Sequence, residues 1–129
     1  MTVERRIDPR LFPPPDYSHV AVATGRSVFT AGAVPLDGEG RLVGAGNVVA
    51  QTRQVVENLL RALETGGATA DDVAKTTIYV VSDHTERLLE VWETVRHSPF
   101  AEAPSTLVGV SALGYRGQLV EIEAVAVID

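Results

Sequence analysis

Val48, Thr52, Val55, Val56, Leu59, Leu60 and Leu63 recur at offsets of three and four, the spacing that gathers side chains on one stripe of an α-helix. Asn47 suits the N-cap of this helix and Gly66-Gly67 ends it. A second helical stripe runs through Thr85, Leu88, Leu89, Trp92 and Val95, with Ser82 or Asp83 as cap and Ser98-Pro99 as stop. Between and around these helices the pattern changes to strand-like runs at residues 20–23, 27–31, 75–81, 103–110 and 118–127. Thr24-Gly25-Arg26 predicts a hairpin joining the first two runs, and a turn at 114–117 joins the last two. Asp37-Gly38-Glu39-Gly40 reads as a turn, with Leu42-Val43 a short strand after it, and Thr69 to Asp72 fits a capping box.

The order is therefore two strands, helix, strand, helix, two strands, which predicts an α+β layer arrangement. Pro9, Pro13, Pro14 and Pro15 keep the first 16 residues extended. Two amphipathic helices can cover one face of a sheet. The other face would then carry Val125 and Val127, with Tyr79 and Val81, either to water or to a protein partner.

Composition narrows the function. The 129 residues suit a single domain spanning 1–129, and they offer no apolar run of the ~20 residues a membrane helix needs. No signal-peptide pattern stands at the amino end, so a cytoplasmic protein without membrane association is expected. With no cysteine there is neither disulfide nor thiolate chemistry. The three histidines, His19, His84 and His97, have no metal-ligand spacing, and the glycines form no phosphate loop, so neither a metal nor a cofactor is expected. A net charge of −6 opposes attraction to a phosphate backbone and argues against a nucleic-acid partner.

The candidate chemistry lies near the carboxyl end. In Val120-Glu121-Ile122-Glu123-Ala124 the two carboxylates share one face of a strand and the apolar side chains share the other. Together with Tyr17-Ser18 and the run from Gln51 to Leu59, this segment resembles the RidA/YjgF family of enamine and imine deaminases, formerly called endoribonuclease L-PSP, over nearly the whole chain. The resemblance implies a chorismate-mutase-like fold, a mixed sheet with two helices on one face. It also implies a homotrimer with clefts for a small metabolite between subunits, and no cofactor. Glu121 matches the family glutamate that orients the attacking water. Tyr17 matches a cleft-lining tyrosine, though from its own surroundings it equally reads as the anchor of the proline-rich arm. Gly32 matches a glycine whose backbone lies near the ligand, followed here by Ala33 where the family has Gln or Asn.

Thr106 stands where deaminating members carry the arginine that grips the substrate carboxylate, and Val108 where many have Cys or Thr. Thr106 can offer only an uncharged hydroxyl, and Arg116, in the loop before the last strand, is the candidate to supply the missing charge. Two functions are thus expected as alternatives. One is a divergent imine or enamine deaminase or related hydrolase, and the other is a non-catalytic small-ligand-binding or regulatory protein.

Overall fold

The computed structural model describes residues 2–129. Its strands are β1 (Val3–Arg6), β2 (Val20–Ala23), β3 (Arg26–Phe29), β4 (Val73–Val81), β5 (Ser105–Val110) and β6 (Val120–Ile128), and its helices α1 (Val48–Thr65) and α2 (Thr85–Val95). Four strands form a mixed sheet in the order β3-β6-β4-β5, antiparallel except for the β4/β5 pair. Parallel neighbours need a crossover, and α2 provides it, lying back on the sheet beside α1. This is the expected α+β architecture, with both helices packed on one face.

Asn47 caps α1 by accepting the Ala50 N–H at 3.0 Å, and the helix ends where Gly67 turns at a φ of 81°. Val55, Leu59 and Leu63 of this helix are fully buried against Ile78, Val80, Val120, Ile122 and Ala126 of the central strands. A bulge before Lys75 brings Val73, rather than Ala74, opposite Ala126 and into that core. The residues opposite one another on neighbouring strands present their side chains to the same face. The face away from the helices therefore carries Glu121, Glu123, Val125 and Val127 of β6, Lys75, Thr77, Tyr79 and Val81 of β4, and Thr106, Val108 and Val110 of β5.

Several expectations need correction. The hairpin does not form: β2 pairs with β1, which the charged and proline-rich arm had concealed, and β3 pairs with β6. Gly25 turns the chain between them at a φ of 143°, and a Cβ there would stand 2.2 Å from the Ile128 carbonyl oxygen. The turn thus packs on the end of β6 instead of closing a ladder. Residues 42–43 make no strand, only a single bridge between Leu36 and Leu42. The cap of α2 is His84 without a side-chain bond, since Ser82 Oγ accepts the His84 N–H itself. Leu89 is 58% exposed while Val91 takes the buried position. Val127, expected on an uncovered face, is buried outside the main core, as is Val3 of the β1–β2 ribbon that lies against β4.

Candidate functional site

Glu121 sits in the middle of the sheet face opposite the helices, half-buried, across from Tyr79. Its two oxygens are fixed from different directions. Oε1 accepts the Gln118 amide at 3.0 Å, and Gln118, only 4% exposed, is itself locked by bonds to the Val120 carbonyl and the Tyr115 N–H. Oε2 lies under Gly32, where a Cβ would come within 2.0 Å of it. The chain around Gly32 bulges off β6: Thr30 and Ala33 donate to the carbonyls of Ala124 and Ile122, so three residues advance while β6 advances two. Behind the turn, the buried Gln51 of α1 accepts the Leu119 N–H and donates to the carbonyls of Gly117 and Gly44. One helix side chain thus holds the loop that positions Gln118.

Glu123, two residues on, accepts the Tyr79 hydroxyl. That bond, burial of the ring, and the charges of Glu123 and Glu121 hold the Tyr79 phenol above its ordinary ionisation range. Across β4, Val108 lies in the same row as Tyr79 and Glu121, and Thr106 in the row of Thr77 and Glu123. The exposed Lys75 crosses from β4 and donates to Thr106 Oγ1 at 2.6 Å. A cation therefore does stand at Thr106.

The expected site residues divide into two groups. Glu121, Gly32, Thr106 and Val108 share one sheet face, with Gly32 in contact with Glu121 and the β5 pair two strands away. Tyr17 is on the helix side, where its ring packs edge-on against Trp92 at 5.7 Å and lines a 260 Å³ cavity with Pro15, Leu89, Ser105 and Leu107. Trp92 Nε1 donates to the Pro15 carbonyl, so this cluster also fixes the arm. Arg116 remains exposed in the loop before β6. Sequence reasoning missed Gln118, Gln51 and Lys75. The last had a signal, being the only lysine beside ten arginines. A groove of about 650 Å³ between α1 and α2 lies across the sheet from Glu121. Among the described residues no group of three His, Asp or Glu side chains is placed to hold a metal, and no helix is long and apolar enough to cross a membrane.

Comparison with known proteins fits this arrangement. The family pattern described as Endoribonuclease L-PSP matches residues 9–128. The chain belongs to that family, the RidA/YjgF family. Among its relatives is a RutC family protein of Pyrococcus abyssi, 32% identical over 108 residues that make up 82% of each chain. Protein DfrA of Myxococcus xanthus is 37% identical over 109 residues, 84% of this chain and 81% of the relative. A solved structure of the Rid family protein YyfB from Yersinia pestis, described as of unknown function, superposes with a TM-score of 0.87 at 31% identity, covering 99% of this chain and all of that one. The sheet order and the two helices are thus the RidA-like fold.

Proposed function

We propose that this RidA/YjgF family member is a divergent imine or enamine hydrolase that works in clefts between the subunits of a homotrimer. The observation that carries the reading is the double fixation of Glu121, by a buried amide on one oxygen and by the Gly32 backbone against the other. A surface carboxylate needs neither restraint. A carboxylate that must hold a water at one angle to a C=N carbon gains from both, because a catalytic base acts only within hydrogen-bond reach and in the correct orientation.

In the proposed step, water adds to the C=N carbon and its proton passes to Glu121. Glu121 returns that proton to nitrogen to give a carbinolamine, then takes the hydroxyl proton as the C=O bond forms and passes it to the departing nitrogen, which leaves as ammonia when the C–N bond breaks. The sheet face bearing Glu121 is not covered by the chain's own helices, and its mixture of Phe29, Val108 and Val125 with polar groups suits closure by a second copy. Closure would also exclude bulk water from the carboxylate. Cleavage of RNA is disfavoured by two carboxylates facing the same space, which repel phosphate.

A panel of small imines and enamines, read by ammonia release, tests the activity, and light scattering tests the assembly. Saturable turnover is expected from a particle of three times the chain mass of 13.8 kDa. Rates equal to buffer, or a monomer at micromolar concentration, would overturn the reading.

A further inference from the structure

We infer that His19 is a proton-sensitive latch: its neutral ring pins the turn at residues 8–12 to the start of β2, and protonation of the ring releases that turn. The inference is independent of the reading of the Glu121 face. Residues 7–18 leave the ribbon after β1 and rejoin it at β2, where the His19 N–H donates to the Arg6 carbonyl at 3.1 Å and Arg6 pairs with Val20. Within this excursion the Leu11 N–H donates to the Asp8 carbonyl at 3.1 Å, which closes a turn over 8–11. His19 holds that turn at two points. The Asp8 N–H donates to Nδ1 at 3.0 Å, and Nε2 lies 3.0 Å from the Phe12 carbonyl oxygen.

These two partners fix the state of the ring. A backbone N–H can only donate and a carbonyl oxygen can only accept, so Nδ1 carries the lone pair and Nε2 the proton. A second proton must go to Nδ1, where it would meet the Asp8 N–H, donor against donor. The bond to Phe12 survives protonation and the bond to Asp8 does not. The ring is only half-buried, so solvent protons reach it. The charged groups around it are the Asp8 carboxylate with Arg10 bonded to it at 2.8 Å, Arg6 of β1 paired with Glu4, and Arg5 of β1, held by the Ala70 and Val73 carbonyls with Glu102 3.9 Å away. Bonds from Arg10 do most to hold the Asp8 carboxyl below its usual range, and the charge of His19 adds to them. That carboxylate attracts a charged ring, yet it can accept from Nδ1 only if residue 8 turns, because the Asp8 N–H occupies that side. Attraction and the lost bond therefore both act to open the turn. The far end of the excursion is fastened by other means, since Trp92 Nε1 donates to the Pro15 carbonyl at 3.0 Å and Arg96 of α2 to Asp16 Oδ2 at 2.7 Å.

The test follows amide hydrogen exchange residue by residue in the full-length protein at about pH 7.5 and about pH 5, on either side of the range in which imidazoles commonly titrate. Rates are expressed as protection factors, and ring nitrogen NMR signals read the charge and tautomer of His19. Wild type and His19→Gln are compared, because the glutamine amide offers one acceptor and one donor without titrating. In wild type the protection of the Asp8 amide should fall about tenfold at the lower pH, as the loss of one hydrogen bond allows. Asp8 itself stays ionised there, its carboxyl being held low. His19→Gln should show the same protection at both pH values, although His84 and His97 still titrate in it. The indole N–H of Trp92, the only tryptophan, should stay protected throughout, which separates opening of the turn from unfolding. The inference is overturned if Asp8 protection in wild type does not change, if His19 remains neutral at the lower pH, if His19→Gln loses as much protection as wild type, or if the Trp92 indole exchanges in step with Asp8.

Discussion

Replacing Gly32 by alanine should damage catalysis far more than folding. The new Cβ would stand 2.0 Å from Glu121 Oε2, 2.5 Å from Cδ and 2.7 Å from Cγ, so the whole carboxyl group must swing aside by more than an ångström. What gives way is the flexible end of a side chain, and Gly32 has no positive φ to defend, so the backbone need not move. The stability loss is then limited mainly to the Gln118 to Glu121 hydrogen bond, about 1–2 kcal/mol, or about 3–8 °C in Tm. A displacement of this size at a water-positioning group costs on the order of 100-fold in rate. Gly38→Ala is the control, since nothing lies within 4 Å of its Cβ. Calorimetry and steady-state ammonia release, measured on both variants, check the argument. A Gly32→Ala protein with wild-type kcat would refute the claim that this glycine exists to seat the carboxylate.

Spectrophotometric titration should show a phenol that ionises above the ordinary tyrosine range and is lost in Tyr79→Phe. Because the folded-state value is raised, the stabilisation from this group is complete below the unfolded-state value and lost as pH rises through the folded one. Wild type should therefore lose stability relative to Tyr79→Phe in strongly alkaline buffer, and parallel melting curves there would contradict the bond to Glu123. Val127→Asp should lower Tm by about 10 °C or more, as a carboxylate placed at an 8% exposed position must. A variant that keeps its Tm and loses only association would show that Val127 is buried by other subunits and not by its own chain.

Local signals served α1 well, because a cap, a stripe and a terminal glycine pair all agree within one segment. They failed where partners are distant in sequence. A strand as short and charged as Val-Glu-Arg-Arg has no periodic signal, and its pairing with β2 depends on contacts that Gly25 redirects. Leu89 looked like a core residue because it stands at helical spacing, yet the sheet beneath α2 selects Val91. In the candidate site, the Glu121 strand and its alternation were legible. The partners of Glu121 were not: Gln118 and Gln51 look like surface amides until the loop folds over them. Lys75 reaches Thr106 only because a crossover sets β5 beside β4, thirty-one residues on.

The account depends most on Glu121, and ammonia release from 2-iminobutyrate by wild type beside Glu121→Gln tests it most directly. The amide is nearly isosteric and keeps a partner for Gln118, so the variant should fold as wild type does, while its kcat should fall about 100-fold or more for want of a base. A folded Glu121→Gln protein that releases ammonia at the wild-type rate would contradict the assignment.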